Sequence, residues 1–71
     1  MSDTVIEILG KKVTMREMKV RDERAVKHIT DDADREFALL GNLTGLSEEE
    51  LDDLTIKDYR KLQDALLGFF V

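Results

Sequence analysis

The side chains that could do chemistry in this chain are mostly carboxylates, and their spacing does not bring them together. Sixteen residues are Asp or Glu, Cys is absent, and His28 is the single histidine. Acid–base catalysis needs titratable groups in a sheltered cleft with shifted pKa values. Asp52 and Asp53 are adjacent on a predicted helix and do not face one another. Ser2 and Ser47 lie at the chain start and at a predicted helix cap. The sequence predicts no catalytic residue.

One stretch begins like a calcium loop, Asp32-Ala33-Asp34-Arg35-Glu36. Such a loop has Gly at its sixth position and Glu at its twelfth. This chain has Phe37 and Leu43 there. Zinc sites are built mainly from Cys and His, which are absent or single here, and no glycine-rich phosphate loop occurs. We therefore expect no metal and no cofactor, and with no catalytic residue we expect a protein that is not an enzyme.

The charge distribution argues against nucleic acid as a partner. Residues 1–29 have seven basic and five acidic side chains, and residues 30–71 have four basic and eleven acidic ones, for a net charge of −5. Nucleic-acid binders need clustered Lys and Arg, whereas these are interleaved with acids. The longest apolar stretch near the end, Ala65–Val71, is far shorter than the roughly 20 residues that span a bilayer. The start of the chain lacks the basic region of a signal peptide. We expect a cytoplasmic protein without a membrane partner.

A β-hairpin is predicted over about residues 4–20. Thr4–Leu9 and Val13–Val20 are rich in β-branched residues, and Gly10-Lys11-Lys12 connects them. Side chains alternate between the two faces of a strand, so Val13 and Met15 share one face of the second strand, whereas Met18 and Val20 share the other. We favour a bulge near Arg16-Glu17 that restores one apolar face; the alternative is a strand covered on both sides near its ends.

From Asp22 onward the apolar period changes from two to about 3.6 residues, which indicates helices. We predict them over about residues 22–29, 32–43, 48–54 and 56–69. Asp22 is the expected N-cap of the first and Gly45 the residue that ends the second. Ser47 and Glu50 have capping-box spacing. The last helix has an apolar stripe at helical spacing, Ile56, Tyr59, Leu62, Leu66 and Phe69.

These elements predict an α+β fold: an N-terminal β-hairpin packed on three or four short α-helices, as a single small domain over residues 1–71. A lone two-stranded hairpin is barely stable in water, so it must pack on the helices or gain strands from a partner.

More apolar residues are present than one helix face can bury, especially in the ending Leu66–Val71. Either the terminal turn packs beneath the hairpin, or it forms a surface for another polypeptide. The apolar positions left over from the core pattern are our candidate partner-binding residues: Leu39, Leu43, Leu46, Leu67, Phe70 and Val71.

The segment Leu43–Leu54, LTGLSEEELDDL, is followed by Asp58-Tyr59 and an apolar ending from Leu62 to Phe69. This pattern resembles the small tail assembly chaperones of contractile-tailed, Mu-like bacteriophages and prophages. The hairpin half fits the same family, with GKKVT at residues 10–14 and MKVR at residues 18–21.

The resemblance implies a chaperone that shields the phage tape-measure protein in the bacterial cytoplasm and is absent from the mature virion. It also implies a second partner, a frameshift-extended form of the chain itself, and is compatible with a homo-oligomer. Two other functions stay open at this point: a small prophage regulatory adaptor that binds a host or phage protein, and a structural tail component.

Overall fold

An antiparallel hairpin and four helices make up the described part of the chain, residues 3–8 and 10–70 of a computed structural model. In chain order the elements are β1 Thr4–Ile8, β2 Lys11–Met15, α1 Val20–Val26, α2 Asp32–Thr44, α3 Glu48–Asp52 and α4 Ile56–Gly68. The α+β prediction of a hairpin packed on short helices is confirmed.

The connection between the strands is shorter than predicted. Ile8 pairs with Lys11 and Glu7 pairs with Lys12, so both lysines belong to β2 and not to the turn. Gly10 lies in this short connection with φ 74°, a conformation that glycine adopts without steric cost. Leu9, which we assigned to the first strand, lies outside the described residues.

The second strand ends at Met15, five residues earlier than predicted, and the bulge near Arg16-Glu17 was wrong. The backbone N–H of Arg16 donates to the carbonyl oxygen of Leu43 at 3.1 Å, so the chain turns from the sheet toward α2. Met18 and Val20, whose change of face suggested the bulge, follow the end of the strand, and Val20 begins α1.

The first helix also differs from its prediction, because α1 begins at Val20 and ends at Val26. Asp22 is not its N-cap. The Asp22 carboxylate lies within the first turn and accepts the backbone N–H of Lys19 at 2.8 Å. This bond satisfies one of the amide groups that a helix N-terminus leaves without an intrahelical partner.

Local capping signals fix the C-terminal end of α2 and the start of α3, as predicted. Ser47 Oγ accepts the Glu50 N–H at 3.1 Å, and Glu50 Oε1 accepts the Ser47 N–H at 2.9 Å, which is the predicted capping box. Gly45 ends α2 with φ 78°, and its N–H donates to the carbonyl oxygen of Gly41 at 2.8 Å.

The core lies between the inner face of the hairpin and the helices. Its largest fully buried side chains are Ile8, Met15, Leu40 and Leu62. One residue of the predicted α4 stripe departs from it, since Ile56 is 68% exposed. The buried apolar side chain at this end of α4 is Leu54, which precedes the Thr55 cap.

Candidate partner-binding groove

The six predicted partner-binding residues differ sharply in exposure. Leu39 and Leu43 are buried in the core, and Leu46 is half-buried. Leu67 is 62% exposed and Phe70 is 59% exposed, which is unusual for large apolar side chains so close together. Val71 lies outside the described residues.

Three of these residues meet in one groove between α1, α2 and α4. Leu39, Leu67 and Phe70 all line it, and its volume is about 630 Å³. Val26 and Leu66 are the other apolar lining residues, and both are buried in the core. We call this surface the α1–α4 groove. In this groove the buried residues of the core lie next to two solvent-exposed apolar side chains at the end of α4.

Charged side chains of both signs border the α1–α4 groove: Glu23, Lys27, Asp32, Arg35 and Glu36. The Arg35 guanidinium pairs with Asp32 one turn earlier on α2. Glu36 Oε1 accepts from Gln63 Nε2 of α4 at 2.9 Å, which links the two helices along one wall. An apolar centre within a polar, solvated border is the usual anatomy of a protein–protein interface.

The remaining predicted residues lie elsewhere. Leu43 is only 2% exposed, and its carbonyl oxygen accepts the Arg16 N–H. Leu46 faces the junction of α2 and α3, beside Gly41 and Leu51. The structure therefore does not bring Leu43 or Leu46 into the α1–α4 groove, and a partner contact by either one stays a prediction.

Sequence reasoning missed an ion pair that holds α1 in place. Arg16 Nη1 and Nη2 donate to the two Asp22 carboxylate oxygens at 2.8 and 2.6 Å. Arg16 Nη2 also reaches the carbonyl oxygen of Asn42 at 3.4 Å. Burial alone would raise the pKa of Asp22. The bidentate bond from Arg16 has the larger, opposite effect and, with the bond from the Lys19 N–H, lowers that pKa from 3.8 to about 2. Arg16 was predicted within the second strand, and no spacing rule pairs such a residue with one six positions later, so the sequence held no signal for this contact.

Glu50 and Tyr59 also have shifted pKa values. The Ser47 backbone N–H and hydroxyl hold the pKa of Glu50 below its usual range. Burial raises the pKa of Tyr59, and the nearby Glu36 carboxylate raises it further. The first shift belongs to a helix cap, and Tyr59 packs against Phe37 with 6.3 Å between ring centroids. Helix capping and side-chain packing therefore account for both pKa shifts, and neither shift calls for a catalytic role.

Metal binding and membrane insertion are two other ways in which residues 3–8 and 10–70 could function. Within those ranges, no three His, Cys, Asp or Glu residues are grouped so that they could hold a metal ion. In the same ranges, no helix is both long enough and apolar enough to cross a membrane. The α1–α4 groove offers apolar contact surface and a charged border, which suit reversible binding of another polypeptide.

The sequence matches a family model described as "Phage tail assembly chaperone proteins, E, or 41 or 14" over residues 7–71. The match takes in β2, all the helices and every residue of the α1–α4 groove. Comparison with curated proteins and with solved structures finds no match.

Proposed function

Because the chain belongs to the phage tail assembly chaperone family, we propose that it shields apolar segments of the tape-measure protein during tail assembly. The α1–α4 groove is the contact surface in this proposal, and the action is binding alone, without a chemical step. The chaperone works in the host cytoplasm and leaves before the virion is complete.

The observation that carries this proposal is the exposure of Leu67 and Phe70 beside the buried lining of the groove. Apolar surface left in water costs about 25 cal/mol per Å². A client that covers these two side chains recovers that free energy, and release of the client exposes them again. The surface is small, which favours a contact that forms and dissociates readily.

The shape of the groove suits an amphipathic helical segment. Its lining comes from α1, α2 and α4 and from the residues just after α1 and α4. An amphipathic helix laid along it would place apolar side chains one turn apart on Leu67 and Phe70. Glu23 of α1 and Lys27, the residue after α1, also line the groove and offer charges of both signs to the polar face of such a segment. The mixed charge of the border tolerates clients of varied sequence, because neither sign is excluded.

The size and charge of the domain fit the same role. Its longest dimension is 33 Å, which corresponds to about 20 residues of a helical client. Several copies are therefore needed to cover an extended client. The net charge of −5 keeps such a complex dispersed while its apolar parts are shielded.

Co-expression with the tape-measure protein of the same phage tests the proposal. The wild-type chain should move the tape-measure protein from the insoluble to the soluble fraction. Leu67→Asp/Phe70→Asp should abolish that effect, since a carboxylate would then face the apolar client without a partner. Both positions are exposed, so the double variant should keep the far-ultraviolet circular dichroism of the wild type.

Val5→Asp is the matched control, because Val5 is 60% exposed but lies on β1, away from the groove. It should solubilise the client as the wild type does. The proposal fails if the groove variant is folded and still solubilises the client. It also fails if the wild-type chain leaves the client insoluble, which is what a regulatory adaptor with a different target would do.

A further inference from the structure

A second apolar surface lies on the other side of α2, at its junction with α3 and the start of α4. Asp34, Glu48 and Asp52 contribute carboxylates, and its volume is about 460 Å³. The apolar lining residues are Phe37, Ile56 and Tyr59 together with Ala33, Leu51 and Leu54. We call this surface the acidic cleft. Ile56 is 68% exposed, so the cleft has an apolar side chain that its own core does not use.

The acidic cleft and the α1–α4 groove face different directions. Phe37 lines the cleft and Leu39 lines the groove. Residues two positions apart lie about 160° from one another around a helix. A client held in the groove therefore leaves the acidic cleft open to another molecule.

A surface of complementary character is present on α1. Val20 is 72% exposed, and Arg21 and Arg24 are exposed as well. Arg24 lies four positions after Val20 and three positions after Arg21, so the three side chains share one face of the helix. Asp22 and Val26 are the buried residues of the opposite face. We call Val20, Arg21 and Arg24 the basic ridge.

We propose that the basic ridge of one copy of this chain docks in the acidic cleft of a second copy. Val20 packs against Ile56 and Phe37, and the two guanidinium groups face the carboxylates of Asp34, Glu48 and Asp52. The residues lining the cleft include these three carboxylates and no basic side chain. Arg is well suited to pair with carboxylates at an interface, because its planar fork can donate to both oxygens.

The contact joins two different surfaces. It closes after two copies where the ridge of each copy sits in the cleft of the other, and it otherwise continues from copy to copy as a ring or an open helical array. Cleft-to-cleft pairing would place six carboxylates at one interface, and ridge-to-ridge pairing would place four guanidinium groups together, both of which are repulsive. The inference goes beyond client binding, since it concerns contacts between copies and applies to the chain alone.

Charge reversal on each surface tests the proposal by sedimentation velocity at low ionic strength. Wild-type protein should show a sedimentation coefficient that rises with concentration. Arg21→Glu/Arg24→Glu and Glu48→Lys/Asp52→Lys, each alone, should weaken self-association by about tenfold or more. An equimolar mixture of the two variants should restore association, because each reversed surface then meets its opposite on the other variant.

Matched controls carry the same change in charge outside the two surfaces. Glu49→Lys/Asp53→Lys changes one residue of α3 and the C-cap residue after it, with the same spacing as the cleft variant, but neither residue lines the cleft. Lys11→Glu/Lys12→Glu alters exposed residues of β2. Both controls should associate as strongly as the wild type does, apart from the effect of their altered net charge on self-association.

Three results would overturn the proposal: a wild-type chain that is monomeric throughout, controls that lose association as fully as the surface variants, or folded variants whose mixture does not associate. If Glu48→Lys/Asp52→Lys fails to fold, Asp52→Lys alone replaces it, because a cation in the last turn of α3 suits the helix dipole. Circular dichroism of each variant distinguishes loss of fold from loss of contact.

Discussion

The Arg16–Asp22 pair joins three parts of the molecule that are separate in sequence. Arg16 follows β2, Asp22 lies in α1, and the Arg16 backbone and side chain also bond to carbonyl oxygens near the end of α2. Asp22 is 4% exposed, so its charge depends on Arg16 and on the Lys19 N–H in place of water. The pair sets where α1 lies, and α1 supplies one wall of the α1–α4 groove.

We expect Asp22→Asn to lower the free energy of unfolding by about 2 kcal/mol near neutral pH, because it removes the charge while keeping the size of the side chain. The depressed pKa of Asp22 means that its contribution is complete above about pH 4 and is lost as pH falls toward 2. Urea unfolding across that range should therefore show the two proteins converging in stability as the solution becomes acidic.

Asp32→Asn is the control for this pair, since the Asp32 side chain is 92% exposed where it meets Arg35. Exposed pairs contribute less than about 1 kcal/mol, so this variant should unfold close to the wild type. An equal loss of stability in both variants would contradict the importance assigned to Asp22.

At the scale of the elements, local signals were predictable and long-range ones were not. The capping box of Ser47 and the left-handed Gly45 depend on residues within one turn, and both were predicted. The end of β2 depends on a bond from Arg16 to Leu43, which is 27 positions away. The sequence pattern continues as a strand through Val20, whereas in the structure the chain leaves the sheet at Arg16, where its N–H bonds to α2.

Gly45 and Gly68 allow a direct test of how α2 ends. Gly45→Ala should destabilise the protein by about 1 kcal/mol, because φ 78° is a strained conformation for any residue with a Cβ. Gly68→Ala should be neutral or stabilising by up to about 1 kcal/mol, since Gly68 ends α4 and a Cβ there meets nothing within 4 Å. Thermal unfolding of the two variants should shift in these different directions; equal losses would contradict the assignment of Gly45 as the helix-ending residue.

At the scale of the whole molecule, α2 separates two functions in our proposals. Its Leu39 side faces the α1–α4 groove, where we place the client, and its Phe37 side faces the acidic cleft, where we place another copy. The apolar excess at the chain end pointed to Leu67 and Phe70 before any fold was considered. That Leu39 joins them, while Leu43 and Leu46 do not, follows from how the helices pack, which residue spacing along one helix does not specify.

We expect the chain to be released once the tail is assembled. We expect mass spectrometry to find its peptides in infected or induced cells before lysis but not in purified virions, where peptides of the tape-measure and tube proteins serve as the positive control. The physical reason is competition. The α1–α4 groove offers only a small apolar area, and contacts of that size dissociate readily. Tube subunits that enclose the client along its length would displace the chaperone. Recovery of this chain from purified virions in a fixed ratio to the tube protein would instead identify it as a structural tail component.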